Sequence, residues 1–160
     1  MTLVLPAAGT LLAAGLLVLS IRRRYLVTTV DGTSMEPALL SGDRVLVRRT
    51  KRVRAGQIVL FRFPELPSGQ GPATVRERQL LLKRAVAVPG DRVPDDWETP
   101  DVEGMAGTVV PPRSLVVLGD NRETSWDSRH YGLVPRELFV GVVVRRLSRR
   151  APSETVTPSP

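Results

Sequence analysis

One serine in this chain has the sequence context of a nucleophile. Ser34 lies in DGTSMEPALLSGD, residues 31–43, between small residues and a methionine, with a proline three positions further on. A serine hydroxyl attacks a carbonyl efficiently only when a neighbouring base takes its proton. From this segment alone, Ser34 is either a nucleophile or an ordinary turn hydroxyl. The choice depends on which bases the rest of the chain offers.

The candidate bases are few. The chain has no cysteine and a single histidine, His130. Disulfides, thiolate nucleophiles and thiolate metal sites are thereby excluded together. His130 lies between Arg129 and Tyr131, and neighbours on a strand point to opposite faces. We interpret His130 as a surface residue and not as the base of a Ser-His-Asp triad.

A neutral lysine is the other possible base. The chain has two lysines, and Lys51 lies in the basic run RRTKRVR, where we expect it to be solvated. Lys83 lies in LLLKRAVAV, and strand alternation places it on one face with Leu81, Ala85 and Ala87. Burial on such a face lowers the pKa of a lysine, whereas a guanidinium does not give up its proton. The alternative is a lysine that snorkels from a strand end.

A polar segment supplies a third group of candidates. GDNRETSWDSRHYG, residues 119–132, is dense in Asp, Asn, Ser and Gly, which predicts an ordered loop. Ser125 could orient an amine there, and Asp127 and Arg129 could form a structural ion pair. Taken alone, such a loop is structural or metal-coordinating. Its arginines oppose calcium, and we expect no metal and no cofactor.

The elements that position these residues read as strands. Short apolar runs rich in Val and Leu are separated by Gly, Pro and Asp, which is typical of strands joined by turns. The runs are YLVTTV, DRVLVRR, QIVLFRF, LLLKRAVAV, SLVVLGD and LFVGVVVRRL. The pattern predicts a mainly β fold with a single β domain over residues 25–147. Residues 148–160 are polar and rich in Pro, Ser and Thr, so we expect a disordered tail.

The N-terminal segment predicts a membrane anchor. Residues 3–21 are almost wholly apolar and uncharged, close to the ~20 residues that a membrane-crossing helix needs. We therefore assign residues 1–24 to a transmembrane helix with a basic flank. A cleaved signal peptide fits less well, because a basic start and a small-x-small site after the run are both missing. The arginines at residues 22–24 would place the following domain in the cytoplasm by the positive-inside rule.

Together, the three polar segments resemble the type I signal peptidases of the S26 family, membrane-anchored serine proteases with a Ser-Lys dyad. The likeness extends from the anchor to Arg146. The matching residues are Ser34-Met35-x-Pro37 with Gly42-Asp43 and Val45; Lys83-Arg84 with Pro89-Gly90-Asp91 and Val93; and Gly119-Asp120-Asn121 with Ser125-x-Asp127-Ser128-Arg129 and Gly132.

The resemblance implies a role for each residue. Ser34 would be the nucleophile, with its N–H in the oxyanion hole, and Lys83 the general base and then the general acid. Ser125 would hydrogen-bond the lysine. Asp127 and Arg129 would hold the loop in place. Met35 would help to pack the site.

The resemblance also implies a substrate class and a location. Exported preproteins would be cut after a small-x-small sequence, by a domain on the extracytoplasmic side of the cell membrane, which conflicts with the positive-inside rule. Gly32 stands where some relatives carry a serine whose hydroxyl joins the oxyanion hole, so backbone donors alone are expected. The short connection between Val93 and Gly119 resembles the compact Gram-positive form.

Two alternatives remain open from the sequence. One is a maturation protease of the same Ser-Lys class with a single dedicated substrate. The other is a non-enzymatic, membrane-tethered domain that uses its net charge of +7 to bind anionic lipid or nucleic acid. For the peptidase, the expected partners are preprotein substrates and membrane lipid, with no nucleic acid.

Overall fold

The computed structural model describes residues 4–63, 80–95 and 104–148. Within them, the chain begins with helix α1 (Val4–Arg24), and a second, short helix α2 (Ser128–Tyr131) lies late in the chain. The strands are β1 (Tyr25–Thr29), β2 (Arg44–Arg49), β3 (Ile58–Arg62), β4 (Leu80–Ala87), β5 (Ser114–Leu118), β6 (Val134–Pro135) and β7 (Phe139–Ser148).

The prediction of a mainly β fold is confirmed. Each of the apolar runs in the sequence contains one strand, and these strands are β1 to β5 and β7. The sequence did not predict β6 or α2. A two-residue strand that includes a proline and a four-residue helix are both too short to produce a periodic apolar pattern.

The strands form one seven-stranded sheet in the order β1-β2-β7-β3-β4-β5-β6. Every neighbouring pair is antiparallel, and β7 joins β2 to β3. The strands β1 and β6 are the two ends of this order, so each has neighbours on one side only within the described residues. Because strand side chains alternate between faces, β4 buries Leu81, Lys83, Ala85 and Ala87, as its sequence predicts.

The core fixes the serine-containing turn to the sheet. Met35 and Leu39, which follow Ser34, are buried in a cluster with strand residues Val45, Val47 and Leu60. Met35 is 1% exposed. Met35 therefore packs in the core beneath the turn that carries Ser34, and its role at the site stays a prediction. Burial of two large apolar side chains holds the turn in place by the hydrophobic effect.

The helix α1 runs directly into β1 and occupies the segment for which the sequence predicts a membrane-crossing helix. Leu11, Leu16 and Leu17 on it are exposed. Among the described residues, however, no helix meets the combined length and hydropathy that crossing a membrane requires. Residues 1–3 of the predicted anchor lie outside the described residues.

The predicted tail begins one residue too early, since β7 extends through Ser148. The rest of that prediction, residues 149–160, lies outside the described residues.

Candidate active site

Ser34 lies in the connection between β1 and β2, which folds as a compact turn. Leu39 N–H donates to Met35 O at 2.9 Å, and Glu36 N–H donates to Thr33 O at 3.1 Å. With Met35 and Leu39 buried beneath it, the turn leaves Ser34 half-buried at the surface of the sheet.

The base of the same connection is closed by a second set of bonds. Val30 N–H donates to Asp43 O and Gly42 N–H donates to Val30 O, both at 2.8 Å. The fully buried Asp43 carboxylate accepts from Leu40 N–H at 3.0 Å and lies 3.4 Å from Arg146 Nη1. Sequence reasoning missed Arg146 as a support of this turn, because it lies 103 residues further along the chain.

Lys83 meets Ser34 across the sheet. Its Nζ lies 2.7 Å from Ser34 Oγ, and the residue is 4% exposed. This distance is a hydrogen bond. The buried face of β4 therefore brings the predicted lysine to the predicted serine, and Lys83 does not snorkel. Lys51, in contrast, is exposed and donates to the backbone carbonyls of Arg136, Glu137 and Phe139.

The loop formed by residues 119–127 packs against the serine backbone. Asn121 N–H donates to Ser34 O at 3.0 Å. Gly119 lies so close that a Cβ there would come within 2.6 Å of Ser34 O and 2.2 Å of Ser125 Oγ. Ser125 is buried, and its Oγ lies near the Asp127 carboxylate without making a hydrogen bond of good geometry among the described residues. Gly119 thus permits both serine segments to approach each other.

Replacing Gly119 should therefore displace the nucleophile. For Gly119→Ala we expect kcat/KM to fall about a hundredfold. The added Cβ would meet the Ser34 carbonyl, which is backbone and cannot move aside as a flexible side chain can. Displacing a catalytic group by about 1 Å costs roughly a hundredfold in rate. Initial cleavage rates of the folded variant measure the effect. Gly15→Ala, where an added Cβ meets nothing within 4 Å, is the control and should cleave at the wild-type rate. Equal rates for both variants would contradict the tight contact.

Asp127 holds this loop through its buried carboxylate. It accepts from Gly119 N–H at 2.9 Å and from Arg129 Nε at 2.9 Å, and it caps α2 through Arg129 N–H at 3.2 Å. Burial alone would raise the pKa of Asp127, but the Arg129 guanidinium and the Gly119 N–H together hold it below its ordinary value. The predicted ion pair between Asp127 and Arg129 is present, at 2.9 Å.

His130 takes part in the same cap. Its Nδ1 accepts from Asp127 N–H at 3.3 Å, and its ring stacks on Trp126 with centroids 5.8 Å apart. The side chain is 28% exposed, so it is half-buried and not fully on the surface as expected. The hydrogen bond ties the imidazole to the loop backbone, which gives it a structural role.

One ion pair at the site was missed by sequence reasoning. Arg84, on the β4 face opposite Lys83, binds Asp120 in a bidentate manner at 2.7 and 2.6 Å and donates to Gly56 O at 2.6 Å. The bonds to Asp120 raise the pKa of Arg84 despite its partial burial. The pair fixes Asp120, next to the Asn121 that binds Ser34 O. In the sequence, this ion pair was indicated only by the position of Arg84 next to Lys83 and by Asp120 in the polar loop.

A cavity of 480 Å³ opens onto the Ser34–Lys83 pair. One wall is the end of β1 and the residues after it, and another is the start of β4. Trp126 closes part of it, and its ring stacks on Phe63 with centroids 5.7 Å apart. The position of Gly32 at the lining places backbone, not a hydroxyl, beside the serine.

The described residues contain no group of three or more acidic, histidine or cysteine side chains suited to a metal. The groups available for chemistry at the cavity are the Ser34 hydroxyl and the Lys83 amine.

A family model described as signal peptidase, peptidase S26, matches residues 4–99 and 94–147. The chain belongs to this signal peptidase family.

Individual relatives agree with the family. Over 145 residues, this signal peptidase chain is 30% identical to the mitochondrial ATP-independent inner membrane protease subunit 1a of Arabidopsis thaliana, covering 86% of this chain and 80% of the relative. It is 29% identical over 171 residues to signal peptidase IB of Staphylococcus aureus, covering 82% and 83%. The resemblance of the three polar segments to type I signal peptidases is confirmed, and the chain is a serine endopeptidase of that type.

Proposed function

We propose that this chain removes signal peptides from exported preproteins by cutting after a small-x-small sequence, with Ser34 as nucleophile and Lys83 as general base. The observation that carries the proposal is the 2.7 Å contact between Lys83 Nζ and Ser34 Oγ on a lysine that is 4% exposed. Burial disfavours the charged ammonium, so the amine is available to accept a proton. The family membership supports the same activity.

The proposed reaction has two steps. In the first, the Lys83 amine takes the Ser34 proton as Ser34 Oγ adds to the scissile carbonyl. The Ser34 N–H stabilises the oxyanion as a backbone donor, since Gly32 offers no hydroxyl. The resulting ammonium gives its proton to the leaving amine, and an acyl-enzyme remains on Ser34. In the second, Lys83 activates a water that hydrolyses the ester.

Several neighbours would position this pair and take no part in the bond changes. Asn121 N–H on Ser34 O fixes the serine peptide, and the Arg84–Asp120 pair fixes the loop that carries Asn121. We propose that the buried Ser125 hydroxyl orients the Lys83 amine once a substrate closes the cavity. Preorganisation of this kind lowers the barrier because the groups need not rearrange during the reaction.

The cavity suits an extended peptide. The strand β1 ends the order of the sheet, and Thr28 and Thr29 line the cavity opposite Leu80 and Leu82 of β4. An edge strand offers unpaired N–H and C=O groups, to which a substrate can pair as an added strand.

The proposal is tested with purified full chain in a neutral detergent and a preprotein carrying an Ala-x-Ala site. We expect cleavage directly after the second alanine, located by the mass of the released mature protein. Glutamate in place of that alanine should stop cleavage, because a carboxylate beside Lys83 would stabilise the charged ammonium and leave Ser34 without a base. Cleavage of the glutamate substrate at an equal rate would contradict the proposed specificity.

Trp126 should shape that specificity, since it forms part of the cavity wall and is held by Phe63. For Trp126→Ala we expect kcat/KM on the Ala-x-Ala substrate to fall about tenfold. The ratio of kcat/KM for this substrate to that for a substrate with leucine in place of alanine at the cleavage site should also fall. Trp126→Phe, which keeps an aromatic wall, should retain both values. An unchanged alanine-to-leucine ratio in the alanine variant would show that Trp126 does not limit the pocket.

We further propose that residues 1–24 attach the enzyme to the cell membrane by a single pass, that residues 25–147 form the peptidase domain on the extracytoplasmic side, and that a tail follows. The apolar sequence of residues 3–21 and its exposed leucines support an attachment to lipid. The basic residues that follow argue for the opposite orientation.

A dedicated maturation protease is the second candidate. Its supporting observation is the 30% identity to a relative named as an inner membrane protease subunit. The two candidates share the same Ser34–Lys83 chemistry and differ in substrate range. Cleavage of one preprotein among a panel of unrelated ones with Ala-x-Ala sites would favour the dedicated enzyme. Cleavage of most of the panel would favour the general signal peptidase.

A further inference from the structure

A second cavity, of 250 Å³, shares no lining residue with the one at Ser34. It lies where three connections meet: the one after β2, the one before β5 and the one after β6. Four of its nine lining residues are basic, namely Lys51, Arg52, Arg113 and Arg136, and none is acidic. Val53 and the buried Phe139 give it an apolar part. Nothing in the proposed peptidase reaction uses this cavity.

The positive charges around this basic cavity are only partly compensated. Arg113 pairs with Glu137, whose charge also acts on Lys51, and Lys51 donates to backbone carbonyls. Among the described residues, the side chains of Arg52 and Arg136 have no ion pair and no hydrogen bond. Like charges brought together repel one another, so an anion bound between them would stabilise the arrangement.

The basic cavity lies at the end of the sheet where α1 enters. The helix ends at Arg24, and the next residue, Tyr25, pairs with Arg48 of β2. The strand β2 then ends at Arg49, two residues before Lys51. The exposed arginines at residues 22–24 lie at the same end. The opposite end of β2, at Arg44, is about 16 Å away at the usual rise per strand residue.

We propose that the basic cavity binds the phosphate of an anionic phospholipid headgroup. The proposal rests on the proposed attachment of α1 to a membrane, which would hold this end of the sheet at the headgroup layer. A guanidinium is a planar fork of donors that matches phosphate oxygens in a bidentate manner. Basic residues beside a membrane helix are attracted to anionic lipid. Free phosphate has the same chemistry and is the competing source.

The test counts lipids bound to the full chain by native mass spectrometry after release from dodecyl maltoside. The probes are phosphatidylglycerol, phosphatidylcholine and inorganic phosphate at equal concentrations. The double variant Arg52→Gln with Arg136→Gln removes the two arginine charges that have no ion-pair partner among the described residues. Arg44→Gln with Arg145→Gln is the matched control, because it removes two exposed arginines that do not line the basic cavity: Arg44, at the other end of β2, and Arg145, which pairs with Leu46 from β7. Circular dichroism establishes that both variants are folded.

We expect wild type and control to bind one phosphatidylglycerol in preference to phosphatidylcholine. The Arg52/Arg136 variant should bind it about tenfold more weakly, as expected on losing charge-assisted hydrogen bonds. Equal phosphatidylglycerol occupancy in all three proteins would overturn the proposal. The proposal would also be overturned if inorganic phosphate bound as tightly as phosphatidylglycerol and displaced it, because the cavity would then be a site for free phosphate.

Cleavage of the Ala-x-Ala preprotein in neutral detergent is measured on the same samples. Both variants should cleave at the wild-type rate there, because their substitutions lie outside the Ser34 cavity. A chain that binds lipid as expected and cleaves nothing would overturn the peptidase proposal alone. A chain that cleaves and shows no preference for phosphatidylglycerol would overturn the lipid site alone.

Discussion

Lys83→Ala is expected to lower the rate of signal-peptide cleavage at least about a thousandfold, because Ser34 would lose the base that takes its proton. Its Nζ is within 2.7 Å of Ser34 Oγ, and it arrives there from the buried face of β4. Lys83→Arg should be equally inactive, because it keeps a positive charge and cannot accept the proton. Initial cleavage rates in neutral detergent at fixed enzyme concentration measure the loss.

Two control variants distinguish loss of the catalytic base from loss of stability. Lys51→Ala removes the only other lysine, and any loss should appear in thermal stability because its bonds are to backbone carbonyls. His130→Ala tests the alternative base and should keep most of the activity, since this imidazole bonds to Asp127 N–H. Retained cleavage by a folded Lys83→Ala, or loss confined to His130→Ala, would contradict the Ser-Lys assignment.

Asp127→Ala is expected to cost about 3 to 5 kcal/mol of the free energy of unfolding, a large share of a typical domain's stability. The carboxylate is fully buried and satisfies the Arg129 guanidinium and the Gly119 N–H. Its removal leaves the buried Gly119 N–H without its acceptor and takes the carboxylate from the partly buried Arg129 guanidinium, which keeps bonds to carbonyls such as Arg122 O. Urea unfolding followed by circular dichroism measures the change.

The Asp127→Asn variant keeps the shape and one acceptor, so it should fold and lose less stability than the alanine variant. Glu137→Gln is the matched control, because its ion pair with Arg113 is largely exposed and should matter little to stability. Equal losses for Asp127→Ala and Glu137→Gln would show that the buried pair does not hold the loop.

The same carboxylate should give the fold a defined pH dependence. Burial opposes its ionisation, but Arg129 and the Gly119 N–H prevail, and the folded pKa of Asp127 lies below the unfolded one. Its contribution is therefore complete above the unfolded pKa of about 3.9 and is lost as pH falls toward the folded value. Between pH 7 and pH 3, wild type should lose more free energy of unfolding than Asp127→Asn. A loss of the same size in both would refute this contribution.

The sequence predicted the strands and faces well because those depend on local patterns. The period-two alternation of β4 was sufficient to place Lys83 on the buried face with Leu81 and Ala85, as the structure shows. The Asp127–Arg129 pair was also predictable, because its partners are two residues apart.

What the sequence did not reveal depends on distant partners and close approaches. The bonds from Arg84 to Asp120 and from Arg146 to Asp43 join residues that are 36 and 103 positions apart. No local pattern encodes them. The closeness of Gly119 to the Ser34 carbonyl has the same origin, since it depends on how two separate loops pack. The proximity of Ser34 and Lys83 itself was expected only from the resemblance to signal peptidases, not from periodicity.

Ser34 performs the proposed cleavage, so removing its hydroxyl should abolish it. Wild type and Ser34→Ala, both shown to be folded, are incubated with the Ala-x-Ala preprotein in neutral detergent, and the mature product is identified by its mass. We expect product cut after the second alanine from wild type and none above background from Ser34→Ala. Cleavage at that bond by Ser34→Ala at the wild-type rate would contradict this expectation.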